Sequence, residues 1–260
     1  MNPLYFGRSE QPLFGVYHPP RTRDTRAHGI VLCYPFGQEY MRAHRAFRQL
    51  AILLSKAGFP VFRFDYYGTG DSSGASADGS LDRWIVDTSV AIDELKDNAG
   101  VQHLSLVGLR LGALLAARVA TTRAEVTRVV LWDPVVMGVR YWGDLVGSTG
   151  QPGAILETAQ SSAVVGINGF PWTRTLREAV TGVTAESYPV DARTRTALLV
   201  SQEHEDYTRL RDRYAGLNGS FTYRCIPSPG DWAFIDAYGS ALLPQDIIQG
   251  IVAYLTQDAA

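Results

Sequence analysis

Histidine is scarce in this chain, five in 260 residues, and none follows His204. A fold that needs an imidazole near its C-terminus as a general base cannot find one here. Cysteine is scarcer still: Cys33 and Cys225 both lie in apolar, strand-like runs and read as buried free thiols of a reducing compartment, not as a disulfide framework. There is no bulk charge of either sign. A formal charge of −2 and a pI near 6.2 offer no general attraction for nucleic acid or an acidic membrane. The one local basic cluster, Arg42, His44, Arg45 and Arg48, reads as the solvated face of a helix. No apolar run approaches the ~18 residues of a membrane span, and Met1–Tyr5 lacks the basic-then-apolar order of a signal peptide. Internal repeats and low-complexity tracts are missing too. These absences lead to the expectation of a cytoplasmic protein without membrane insertion and without a nucleic-acid partner.

What is present is a rhythm. Hydrophobic residues make up 46% of the chain, enough for one sizeable α/β domain with room for an insertion. Short strands at 4–6 and 13–18 precede a buried strand at 29–34. A helix follows with Phe47, Leu50, Ala51 and Leu54 on one stripe, closed by Gly58 and Pro60. Then come a strand at 61–64 and an amphipathic helix marked by Leu81, Trp84, Ile85, Thr88, Ile92 and Leu95. Further strands are expected at 104–107, 129–132, 196–200 and 220–226, and a last helix around Ile247–Leu255. Alternation of this kind implies an α/β fold with a mainly parallel, eight-stranded sheet flanked by helices. Between 138 and 189 the rhythm stops. That stretch, with Tyr141, Trp142, Phe170, Trp172 and Tyr188 among glycines and hydroxyl residues, reads as a lid inserted after the sixth strand, the core being 1–137 and 190–260.

The rest is organised around Gly108-Leu109-Arg110-Leu111-Gly112, set between the apolar run Leu104–Val107 and the small-residue helix Ala113–Ala117. Strand, Gly-x-X-x-Gly, helix is the layout of the nucleophile elbow of the α/β-hydrolase fold, where a tight turn lifts one side chain above the sheet. That side chain is ordinarily a nucleophile. Here it is a guanidinium, which stays protonated and cannot attack a carbonyl. The triad also needs a histidine after the last strand, and none exists. Ser72 and Ser73 sit in a Gly-rich turn after the fourth strand, and Gly68–Gly74 has the wrong spacing and position for a dinucleotide fingerprint. No cofactor and no metal are expected.

In an open parallel sheet, functional groups gather at the carboxyl ends of the strands. Those ends deliver Tyr34, Phe36 and Glu39, then Asp65, Leu109 and Arg110, then Asp133, Glu203, His204 and Glu205, and finally Asp231 and Trp232. Arg110 lies at a helix N-terminus, where backbone N–H groups already favour an anion. Either a protein carboxylate or an anionic ligand must balance it, since an unpaired buried charge is costly. The candidate counter-charges are Glu39, Asp133, Glu203 and Asp231. Two readings stand side by side, an internal ion pair that plugs a disused site and a fork that recognises an external anion. The site expected to do chemistry is Arg110 with Glu39, Glu203, His204 and Asp231. Tyr34, Phe36, Leu109, Asp133 and Trp232 are expected to contact substrate.

The chain resembles the exosortase A system-associated hydrolases of the second type. The resemblance rests on Pro35-Phe36-x-x-Glu39 with Arg45, Asp65-x-Tyr67-Gly68-x-Gly70-Asp71-Ser72-x-Gly74, Trp84-x-x-Asp87 and Gly108–Ala116. It covers roughly residues 30–120, with weaker similarity from Gly169-Phe170-Pro171 onward. Arginine at the elbow belongs to that family's pattern, while Tyr34 and Gln38 depart from it, the family tending to proline and glutamate there. The resemblance implies an α/β-hydrolase fold with a degenerate catalytic triad. Taken with the reading of Arg110 as an anion or oxyanion binder, it leads to the expectation of a small anionic or acyl substrate in a biosynthetic pathway. The alternative is a non-catalytic ligand-binding or scaffold protein. A homodimer is the assembly to test.

Overall fold

The computed structural model of the chain describes residues 1–149, 152–217, 220–233 and 242–257. In chain order its strands are β1 (Asn2–Arg8), β2 (Gln11–His18), β3 (His28–Cys33), β4 (Val61–Phe64), β5 (His103–Leu109), β6 (Val126–Trp132), β7 (Val164–Ile167), β8 (Phe170–Thr173), β9 (Arg195–Val200) and β10 (Phe221–Cys225). Its helices are α1 (Gln38–Lys56), α2 (Leu81–Ala99), α3 (Leu111–Thr122), α4 (Gly138–Gly147), α5 (Pro152–Ser161), α6 (Arg174–Thr181), α7 (Glu205–Tyr214) and α8 (Gln245–Gln257).

Eight strands form one sheet in the order β1-β2-β4-β3-β5-β6-β9-β10. The hairpin β1–β2 joins the edge antiparallel, and every neighbour from β4 through β10 is parallel. The fold is the expected α/β-hydrolase architecture. Strands with helices on both faces read as unbroken apolar runs, and Ile30, Val31, Leu32, Leu104, Leu106, Val107, Val130 and Leu131 are wholly buried. Helix α2 starts where the Ser80 hydroxyl accepts from the Arg83 amide and ends at Gly100, in the left-handed region at φ 66°. Helix α3 buries nearly all of its length in Ala and Leu side chains. Cys33 is fully buried, as expected, and burial pushes its thiol up to about 12. Cys225 is only partly buried.

Between β6 and β9 the chain leaves the sheet for α4, α5, the antiparallel pair β7–β8 and α6; residues 150–151 of this stretch lie outside the described residues. The stretch was expected to hold no strand. It holds a two-stranded hairpin separate from the main sheet, turned at Asn168 and Gly169, both with positive φ (51° and 86°). Its two ends are held together and to the loop after β6: the Gly138 amide donates to the Val183 carbonyl (2.8 Å), and the Tyr188 hydroxyl donates to the Val135 carbonyl (2.8 Å).

Candidate functional site

The turn from β5 into α3 requires both of its glycines. A Cβ on Gly108 would overlap the Gly112 carbonyl, and one on Gly112 would overlap the carbonyls of Cys33 and Tyr34. Strand β3 and helix α3 thus approach more closely than any side chain permits. Arg110, between them, adopts φ 55° and ψ −119°, a sparsely populated backbone state for a residue with a side chain. Its amide donates to the Trp132 carbonyl at the end of β6 (3.1 Å), which pins the turn to the neighbouring strand.

The counter-charge is Glu39. It sits in the first turn of α1, and Gly37, at φ 68°, turns the chain into that helix. Arg110 Nε donates to Glu39 Oε1 at 2.8 Å, with the glutamate side chain fully buried and the arginine side chain 17% exposed. Glu39 Oε2 accepts from the Tyr141 hydroxyl at 2.9 Å. The Tyr141 ring also lies under the guanidinium, 5.2 Å from its carbon, a cation–π contact. Burial by itself works against the Arg110 charge, but Glu39, reinforced by Tyr207 and Tyr141, outweighs it and raises the guanidinium further above its ordinary range. Burial, and then the Glu39 charge, holds the Tyr141 hydroxyl well above 10, so it stays protonated and donates. Arg110 Nη1 donates to the Asp133 carbonyl (3.2 Å). Nη2 makes no hydrogen bond to any described residue.

Asp133, at the end of β6, has φ 40°, a left-handed state that aspartate tolerates better than most residues. Its carboxylate is held in a cradle of donors. Oδ1 accepts from the Ser201 amide (2.6 Å), and Oδ2 accepts from the Ser201 hydroxyl (2.6 Å) and from Trp232 Nε1 (3.1 Å). Burial raises this carboxyl above the ordinary 3.8, against the lowering by its donors. After β10, where a triad places its histidine, the donor to this acid is an indole, which can give a hydrogen bond but cannot take a proton.

Arg110 opens onto a cavity of about 120 Å³ whose walls include Val135, Val136, Arg140, Tyr141, His204 and Tyr207. Of the other side chains expected at the site, only His204 lines it. His204 caps α7, its Nδ1 accepting from the Asp206 amide (3.2 Å). Arg140 lies against it and pairs with Glu205 (2.6 Å) and Asp206 (3.6 Å), joining α4 to α7 across the cavity mouth. Glu203 is exposed and accepts from the Tyr223 hydroxyl (2.6 Å); Asp231 is exposed as well. Tyr34, Phe36, Leu109 and Trp232 are buried, 2% exposed or less, and none is among the residues lining the cavity. Tyr34 stacks on Phe47, and Phe36 packs tilted against Trp84 and edge-on to Trp172, so these rings pack the core around the elbow. Tyr141 was not expected at the site beyond being one aromatic of the insertion, and nothing in its spacing marks it as Glu39's partner.

An eight-stranded, mainly parallel sheet with a strained strand-to-helix elbow defines a protein of α/β-hydrolase fold. More narrowly, the chain belongs to the serine aminopeptidase, S33 family, whose model matches residues 29–169, more than half of the chain. It is 38% identical over 97 residues to the mitochondrial palmitoyl-protein thioesterase ABHD10 of Homo sapiens, and equally to that of Pongo abelii. The match covers 36% of this chain and 29% of those relatives, so the chain spans less than a third of the curated relatives it matches. Among solved structures, Est1E from Butyrivibrio proteoclasticus with ferulic acid bound superposes with a TM-score of 0.70 at 15% identity, covering 98% of this chain and 96% of that one. Alpha/beta hydrolase domain-containing protein 10 from mouse superposes with a TM-score of 0.56 at 16% identity, covering 99% and 98%. At such identities the superpositions speak for the fold alone.

Proposed function

We propose that this chain works without a Ser-His-Asp triad and holds an anionic or acyl small molecule at Arg110, through the carboxylate or carbonyl oxygen of that molecule. The observation that carries this reading is the divided guanidinium. Its Nε edge is fixed by buried Glu39, while Nη2, without a partner among the described residues, belongs to a side chain that lines a cavity. Fixed N–H donors in a partly water-excluded site suit a carboxylate or a developing oxyanion. The excursion of residues 138–189 acts as a lid, its helix α4 supplying Tyr141 and Arg140 to the cavity wall. The substrate class, an intermediate of a biosynthetic pathway, follows the resemblance to exosortase A system-associated hydrolases.

A second reading, recognition without turnover, is favoured by the carboxylates themselves. Both oxygens of Glu39 and both of Asp133 already accept hydrogen bonds, so neither is disposed to act as a general base. For turnover in an addition, elimination or cyclisation and not an ester hydrolysis, His204 on the cavity wall moves the proton once its Nε2 is released from the Arg140 guanidinium that lies against it. A thermal-shift screen of acyl carboxylates, phosphates and sugar phosphates tests the shared core of both readings. A ligand at a hundred times its Kd stabilises the native state by about 2.7 kcal/mol. Such a ligand raises the Tm of the parent and leaves Arg110→Ala and Arg110→Lys unmoved, because lysine keeps the charge and loses the fork. The absence of any ligand-dependent shift in the parent overturns it.

A further inference from the structure

A second arginine, two strands from the elbow in the sheet order, lacks the carboxylate that Arg110 has. Arg63 lies in β4, only 8% exposed. Its Nε donates to His18 Nε2 (3.1 Å), its Nη1 to the Tyr34 hydroxyl (3.2 Å), and its Nη2 reaches only the Met1 sulfur at 4.0 Å. Among the described residues no carboxylate comes within ion-pair distance of it. Neutral acceptors satisfy its hydrogen bonds but leave its charge unbalanced in a desolvated place.

Arg63 faces a cavity of about 290 Å³ with apolar walls at Phe14, Val16 and Phe64. A second cavity, of about 220 Å³, shares Met1 as a wall and is lined by His18, Arg21 and Arg48. The side chains of Arg21 and Arg48 make no hydrogen bond or ion pair with a described residue. Neither cavity shares a lining residue with the one at Arg110. The carboxylates on the first are Asp65 and Asp71. Asp65 is already engaged by the Tyr40 hydroxyl (2.8 Å) and the Asp71 amide (3.0 Å), and Asp71 is exposed.

We propose that Arg63 is a second ligand site that takes a small organic oxyanion, a carboxylate or a phosphate monoester, with its apolar body against Phe14, Val16 and Phe64, and that Arg48 and Arg21, on the neighbouring cavity beyond Met1, add to the positive field there. Burial, then the Arg63 charge, the N-terminal ammonium, Arg48 and Arg21, depress the His18 imidazole to about 4. His18 is therefore neutral near pH 7, which frees its Nε2 lone pair for Arg63 and leaves the guanidinium as the buried cation. The site does not depend on what occupies the elbow.

Isothermal titration of phenyl phosphate, benzoate and neutral phenol into the Arg110→Ala protein tests it with the elbow disabled. At least one of the two anions binds saturably, and which one sets the headgroup; phenol does not. Charge-assisted hydrogen bonds lost in Arg63→Gln raise Kd about tenfold or more. Arg48→Glu and Arg21→Glu, at exposed positions that do not endanger folding, also weaken binding, whereas Asp71→Asn tightens it by removing a like charge from the wall. Should Arg63→Gln fail to fold, the Arg48→Glu and Asp71→Asn proteins decide by the opposite signs of their effects. Absence of anion binding, phenol binding as well as the anions, or a Kd indifferent to these substitutions overturns the site.

Discussion

Arg110, in the turn after β5, and Arg63, inside β4, are both arginines largely withdrawn from solvent, and they are stabilised in opposite ways. Arg110 meets a fully buried carboxylate, an aromatic face and a carbonyl. Arg63 meets an imidazole, a phenol and a thioether. The first arrangement fixes a cation by pairing it and leaves Nη2 without a partner among the described residues. The second leaves the charge itself unbalanced beside a cavity. Hydrogen bonding and charge balance are separate requirements of a buried guanidinium, and this chain meets them at one site together and at the other only in part.

The comparison breaks most visibly at Glu39. Glu39→Ala leaves Arg110 unpaired beside Tyr141, and removal of one partner of a buried pair costs about 3–5 kcal/mol. The lower end applies here because the Arg110 side chain keeps 17% exposure. Urea denaturation of the variant checks it, and a loss under about 1 kcal/mol would put the pair in the class of exposed ones. Arg63→Met should do far less. Replacing an unbalanced buried cation with an apolar side chain of similar length is often neutral or stabilising, so a change within about 1 kcal/mol of the parent is expected. If Arg63→Met costs as much as Glu39→Ala, the contrast between the two arginines is wrong.

Asp133 sharpens the same contrast through pH. Its carboxyl is raised by burial above the ordinary 3.8, so the folded chain keeps this proton after the unfolded chain has released its own. The stability tied to it is complete below 3.8 and is lost as pH rises through the folded value. Asp65 and Asp87 are raised by burial in the same direction. Denaturation midpoints should therefore decline upward from about pH 4 where these carboxyls dominate, with a shallower decline in Asp133→Asn. An unchanged slope in that variant removes Asp133 from the explanation.

The smallest expected effect is a null one. Arg110→Ser restores the elbow's usual hydroxyl but no base, since the donor to Asp133 is the indole of Trp232. Aryl-ester assays should show no serine-hydrolase turnover in this variant, and the parent should not label with fluorophosphonates. Rapid turnover by Arg110→Ser would mean that a base stands close to the elbow after all.

The sheet was legible because central strands are apolar runs bounded by turn residues, and the elbow because two glycines at fixed spacing mark a close approach. The hairpin at Asn168-Gly169 carried a readable turn signal, obscured because its flanking strands are only four residues long. Helix α7 carries no legible apolar stripe, because Glu205–Tyr214 is mostly charged, with Leu210 and Tyr214 as its buried hydrophobics. At the site, four carboxylates stood as possible partners of Arg110 and nothing in their spacing chose among them. The choice is made by the angle at which α1 leaves Gly37 and by the hydroxyl of Tyr141, two facts of three-dimensional packing. Tyr34, Phe36 and Leu109 followed the strand ends correctly in sequence, yet packing turned them inward as the support of the elbow.

One titration addresses the elbow directly. Butyrate and butyramide have nearly the same shape and differ in charge, and calorimetry on the parent and on Arg110→Ala measures what the guanidinium adds for each. Butyrate should bind the parent saturably and Arg110→Ala about tenfold or more weakly, with butyramide bound less tightly by the parent. Equal binding of butyrate by both proteins, or heats of dilution alone throughout, would contradict this and leave Arg110 and Glu39 as an internal pair that closes the site.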